Sequence, residues 1–229
     1  MTKTISFERN EEHMKFFIDA AIREQNEAHE IKVKERDDSV DIYVYDVISN
    51  YWGVTPNKFA HALKVANGRD INIYFNSPGG DVFAARAIYS QLERYGGKVQ
   101  GYIDGMAASA ATLIACACET REIAEGARFM IHRAWTITIG NSVELSDLAE
   151  YLSSIDDDLA QNYADVSGGT VKEMLAFMDK EKSFTAEEAV EAGLCNCITQ
   201  KKAKANALDK NRERMSMFAE MINITGEAA

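Results

Sequence analysis

The 229-residue chain has only two prolines, four cysteines and four histidines, and each scarcity narrows what it can be. No apolar run approaches the roughly 18 residues that a membrane span requires. The opening residues, Met1 to Asn10, lack the apolar core of a secretory signal. The expectation is a cytoplasmic protein with no membrane partner. A formal net charge of −11 argues against nucleic acid as the main partner. The cysteines form two C-x-C pairs, Cys116/Cys118 and Cys195/Cys197. Zinc sites use longer spacings, commonly with histidine nearby, so no metal is expected. Cys116 and Cys118 sit in an apolar run and read as buried hydrophobes. No phosphate-binding G-x-x-x-x-G-K-[ST], no G-x-G-x-x-G and no H-E-x-x-H occurs, and no cofactor is expected. Internal repeats and low-complexity segments are absent too.

What is present fits one globular domain with extensions. Hydrophobic residues make up 46% and charged residues 27%, ordinary values for a folded domain. Residues 1–35 read as a helical, charged N-terminal extension, with Met14 to Ile18 as its apolar part. Residues 36–200 read as the domain. Residues 201–229 form a basic tail carrying Lys201, Lys202, Lys204, Lys210, Arg212 and Arg214.

Within the domain, Val40, Ile42 and Val44 alternate like a strand. Pro56 opens a helix that Asn67-Gly68 ends. Ile71, Ile73 and Phe75 form the next strand, followed by the loop Asn76-Ser77-Pro78-Gly79-Gly80. Val82, Ala85, Ile88 and Leu92 recur at helical spacing up to Gly96-Gly97. Val99 to Ile103 is a strand again, and Ala110 to Ala117 a buried helix. Phe129 to Ile131 is a further strand. Leu145, Leu148, Leu152, Ile155, Leu159 and Tyr163 mark a long amphipathic helix with seven acidic and no basic residues between Asn141 and Asp165. Capping-box spacing at Thr170/Glu173 and Thr185/Glu188 starts two short helices. Strand, loop and helix in alternation predict an α/β fold built on a parallel sheet, with sites at the carboxyl ends of the strands.

Three of those ends carry chemistry. Gly105-Met106-Ala107-Ala108-Ser109-Ala110-Ala111 sets one serine among residues with almost no side chain. A serine hydroxyl needs a neighbouring base to become a nucleophile, and imidazole suits the task. His13 and His29 lie in the extension and His61 lies mid-helix, so only His132 comes at a strand end level with Ser109. If Ser109 begins a helix, the Ala110 amide is free to donate to an oxyanion, and the glycine loop offers a second amide. Each such donor is typically worth about 3 kcal/mol of barrier. The site is not the alpha/beta-hydrolase elbow: Ala107 and Ala111 replace its glycines, and any useful acid follows His132. No lysine near these loops supports a serine–lysine pair. Asp179 and Glu181, in the connector Met178 to Lys182, are both candidates to orient the imidazole.

Four ordered motifs, Asn76–Gly80, Gly105–Ala110, Met130-Ile131-His132 and Ala186–Leu194, resemble those of the Clp protease proteolytic subunit family, peptidase family S14. The likeness covers about residues 40–199 and is closer still to the Clp-related head maturation proteases of tailed phages and prophages. It implies the ClpP/crotonase-like fold of repeated ββα units, with a mostly parallel sheet and a long protruding handle helix over residues 142–166. It also implies homo-oligomeric rings and a serine endopeptidase with Ser109 as nucleophile and His132 as base. The oxyanion donors fall on Gly80 and Ala110. Where the Clp subunit carries an aspartate this chain has Glu181, with Asp179 the alternative. The substrates implied are capsid or scaffold proteins, in the host cytoplasm if the chain is phage-encoded, or unfolded polypeptides fed by an ATPase partner, since the chain has no ATP site of its own. A non-proteolytic scaffold of the same fold, or an acyl-CoA hydratase or isomerase of the crotonase type, are the competing classes.

Overall fold

A computed structural model describes residues 31–199. The strands are β1 (Lys32–Glu35), β2 (Ser39–Val44), β3 (Asp70–Ser77), β4 (Val99–Ala108), β5 (Thr120–Ile123), β6 (Arg128–Met130), β7 (Ser183–Phe184) and β8 (Cys197–Ile198). The helices are α1 (Pro56–Ala66), α2 (Val82–Glu93), α3 (Ala110–Cys116), α4 (Ser142–Ser167), α5 (Val171–Met178) and α6 (Ala186–Glu191). The elements form a mixed α/β domain around one sheet, in the order β1-β2-β3-β4-β5-β8, with β6 joined to β4 and β7 joined to β6.

Strands β2, β3 and β4 pair in parallel, and each sends alternate residues to opposite faces. Val40, Ile42, Ile71, Ile73, Phe75 and Ile103 are fully buried or nearly so on the helix-covered face. Truncating one of these, such as Phe75→Ala, should cost about 3–5 kcal/mol through lost burial and the cavity left behind. The opposite face carries Tyr43, Tyr74 and Tyr102 in lateral register, stacked with centroids 5.0 and 5.1 Å apart. Helix α1 packs on α2, α2 on α3, α3 on α4 and α4 on α5.

Strand β4 changes partner along its length, and this builds the site. Its first half, Gln100 to Ile103, pairs with β5, and its second half, Met106 to Ala108, pairs with β6. A register shift between Phe75 and Ser77 lets β4 run past the bend beside β3, where Ser77 meets Ala107. Gly105 lies at that bend, and a Cβ there would come 2.4 Å from the Asn76 side-chain oxygen, so Asn76 would have to turn aside. The carboxyl ends of β4 and β6 finish side by side, Ala108 opposite Met130.

Helix boundaries follow local chemistry. Pro56 sits in the first turn of α1, and Asn67 ends it in the left-handed conformation. Both predicted capping boxes form, at Thr170/Glu173 and Thr185/Glu188, and Asn141 and Glu144 make a third at the start of α4.

Residues 32–35 correct one boundary. The helical extension was expected to reach residue 35, but these residues form β1, antiparallel to β2. Four residues are too few to show a period, and the pairing alone makes them a strand. The rest of that extension, residues 1–30, and the basic tail, residues 201–229, lie outside the described residues. Cys116, Cys118 and Cys195 are buried thiols, and burial pushes the first and last up to about 12. Cys197 is exposed, on β8. Among the described residues no helix is long and apolar enough to cross a membrane.

Candidate active site

Ser109 sits between β4 and α3 at φ 53° and ψ −128°, a conformation L-residues rarely adopt. Such backbone persists only where the surroundings over-determine it. Here the Ser109 amide donates to the Met130 carbonyl at 2.9 Å, tying the turn to the end of β6. A serine in this place usually caps the helix with its hydroxyl. This one makes no cap bond. Its Oγ lies 2.7 Å from Nε2 of His132 instead.

His132 lies two residues past the end of β6 and is 9% exposed. The Ile131 amide donates to the Lys182 carbonyl at 3.1 Å, continuing the antiparallel pairing of β6 with β7. The next residues are pinned to α4. Nη1 of Arg133 lies 3.1 Å from Oδ2 of Asp156, and the Ala134 amide donates to Oδ1 of the same carboxylate at 2.7 Å. Nε of Arg133 lies 2.6 Å from Oδ1 of Asp179. The two carboxylates raise the Arg133 pKa, Asp179 contributing most. Asp156 is buried on α4, so the guanidinium satisfies a charge that would otherwise be costly.

The glycine loop completes the third side. Gly79 and Gly80 have φ of 94° and 141°. A Cβ on Gly79 would come within 2.5 Å of the Ala108 carbonyl and 2.8 Å of the Ala110 nitrogen, so only glycine lets this loop touch the serine turn. The Gly79 carbonyl accepts from Ile48 at 2.8 Å and the Asp81 amide donates back to Ile48 at 2.8 Å. This short ladder passes over the Gly80 N–H. Ala110 is the first residue of α3, where helix geometry supplies no carbonyl for its N–H. Gly80, Ser109, Ala110 and His132 all line one cavity of about 640 Å³. Its other walls are mainly apolar and aromatic, among them Trp52, Phe83, Trp135 and Tyr151.

The structure therefore brings Ser109 and His132 into hydrogen-bond contact and sets Gly80 and Ala110 beside them. The two carboxylates stand differently. Asp179 is ion-paired to Arg133, the residue after His132. Glu181 has φ 48°, and its carboxylate makes no hydrogen bond or ion pair with the described residues. Arg133 and Asp156, which hold the segment after His132, were not among the sequence-predicted site residues. One signal was available: Asp156 interrupts the apolar stripe of α4 between Leu152 and Leu159, where a charge must find a buried partner.

An imidazole within hydrogen-bond reach of an uncommitted serine hydroxyl, beside backbone amides at a helix start, is the arrangement of nucleophilic acyl transfer. The Clp protease family model matches residues 54–202, more than half of the chain. The chain belongs to the Clp protease family. The ATP-dependent Clp protease proteolytic subunit of Bacteroides fragilis is 34% identical over 137 residues, covering 59% of this chain and 66% of that protein. The corresponding subunit of Ligilactobacillus salivarius is 33% identical over 138 residues, with coverages of 59% and 70%. Subunit 2 of Rhodococcus jostii is 31% identical over 139 residues, with 60% and 71%. The chain spans just under two thirds of the length of the Bacteroides fragilis relative.

Proposed function

We propose that the chain is a Clp-type serine endopeptidase. Ser109 attacks a peptide carbonyl while Nε2 of His132 takes the hydroxyl proton and then delivers it to the leaving amine. The amides of Gly80 and Ala110 stabilise the tetrahedral oxyanion, and water then releases the acyl group by the same route. The observation that carries this reading is the 2.7 Å contact between Ser109 Oγ and His132 Nε2 at the ends of two adjacent strands.

The resemblance points to Glu181 as the orienting acid, and the geometry favours Asp179, held at the base's own segment by Arg133. We assign the role to Asp179, with Glu181 as the alternative. The exposed first half of α4 serves as the handle through which subunits contact one another in homo-oligomeric rings. Its support is the group of apolar side chains left in solvent there: Val143, Leu145 and Tyr151 are 65%, 45% and 52% exposed. The substrates are proteins in the cytoplasm. The relatives' names carry the words ATP-dependent, which favours polypeptides fed by an ATPase over the head-protein processing that the phage resemblance suggests.

Hydrolysis of a fluorogenic peptide and of casein by wild type and Ser109→Ala tests the reading. Wild type is expected to cleave and the variant to lose all cleavage while keeping its size-exclusion profile. Equal cleavage by both proteins would refute the assignment.

A further inference from the structure

Behind the serine turn stand two buried hydroxyls that the proton-transfer pair does not use. Thr112, in the first turn of α3, and Tyr163, on α4, are 0% and 1% exposed. The Thr112 Oγ1 proton is donated to the carbonyl of Ser109, which can only accept. Tyr163 Oη lies 2.7 Å from Thr112 Oγ1. The threonine's single proton is already committed, so the tyrosine is the donor of the second bond. Burial raises the Tyr163 pKa, which keeps that proton in place. The result is a directed chain from Tyr163 through Thr112 to the Ser109 carbonyl. That carbonyl also accepts the Thr112 amide at 3.0 Å.

The carbonyl of Ser109 and the amide of Ala110 belong to one planar trans peptide, so they point in opposite directions. Whatever fixes the carbonyl fixes the aim of the amide. The plane needs fixing, because Ser109 at φ 53° and ψ −128° is strained and turning the plane offers relief. In this buried place water cannot take over a lost hydroxyl without cost.

We propose that Tyr163 and Thr112 are positioning residues which lock the Ser109–Ala110 peptide plane and so aim the Ala110 N–H at the oxyanion. The inference rests on the serine-peptidase reading above. It makes α4 part of the nucleophile's support as well as the base's, since Asp156, two turns before Tyr163 on that helix, holds the segment after His132. An oxyanion donor acts in the transition state, so misalignment should lower kcat and the rate of covalent labelling and leave KM alone.

The test uses the full chain, a fluorophosphonate probe and a fluorogenic peptide, with Tyr163→Phe, Thr112→Val and Thr112→Ser. Tyr163→Phe and Thr112→Val should each lower the labelling rate and kcat by roughly tenfold to a hundredfold at unchanged KM. Thr112→Ser, which keeps the hydroxyl, should stay within about twofold of wild type, given that only a buried methyl is lost. Tyr163→Phe labelled at the wild-type rate, or Thr112→Ser impaired as deeply as Thr112→Val, would overturn the inference. A wild type that does not label at all refutes the peptidase reading itself, and the inference with it.

Discussion

Ser109 and the segment after His132 are held by different forces. Ser109 is fixed by backbone hydrogen bonds and neutral hydroxyls inside the core: Met130 on its amide, Thr112 on its carbonyl, Gly79 packed against the turn. The segment that follows His132 is fixed by charge, through Arg133 between Asp156 and Asp179. Neutral buried bonds respond little to salt or to the removal of a surface charge. Ion pairs that reach solvent respond to both. The Ser109 side is thus built for constancy and the His132 side is open to adjustment from α4 and the connector.

Substitutions in the connector should weigh most on turnover. Asp179→Asn should lower kcat by about a thousandfold or more, since loss of an orienting carboxylate leaves the imidazole in the wrong tautomer. Glu181→Gln, with no bonded partner to lose, should change turnover by less than about threefold, as a surface substitution away from bonded features does. Steady-state kinetics on the two variants side by side decide between them. The reverse order would return the role to Glu181, and equal small effects would exclude both.

A middle-sized effect is expected on α4. Asp156→Ala removes the partners of Arg133 Nη1 and the Ala134 amide, and should cost about 2 kcal/mol in denaturant unfolding. The figure is smaller than for a wholly buried pair because Arg133 remains 37% exposed. Turnover should fall with it, while the fluorescence and circular dichroism of the core stay native. Unchanged unfolding midpoint and unchanged turnover would show that the charged tether carries no weight.

How far these differences could be read beforehand depends on element length. The alternation of Val40, Ile42, Val44 and of Ile71, Ile73, Phe75, with helical spacing between, placed Ser109 and His132 at neighbouring strand ends without any structure. Strands β1, β5, β7 and β8 have two to four residues each, too few for a period, and exist only because longer strands offer them edges. The partner change of β4 is a tertiary event with no local pattern. The Arg133–Asp179 pair likewise joins residues forty-six apart in the chain, and no local pattern announces it.

The smallest effect is the response to salt. The Arg133–Asp179 pair is 37% and 59% exposed on its two sides, so raising ionic strength should weaken it modestly. Between about 0.1 and 1 M salt the Debye length falls from roughly 10 to 3 Å. A fall in kcat is expected for wild type over that range, and little further fall for Asp179→Asn. A variant as salt-sensitive as wild type would place the sensitivity elsewhere.

Everything proposed for this site depends on Ser109, activated by His132, being the nucleophile. Intact-mass analysis and peptide mapping after fluorophosphonate treatment test it most directly. One adduct per chain is expected on the peptide containing Ser109, absent from Ser109→Ala and strongly slowed in His132→Ala. An adduct on another residue, or undiminished labelling of Ser109→Ala, would contradict it.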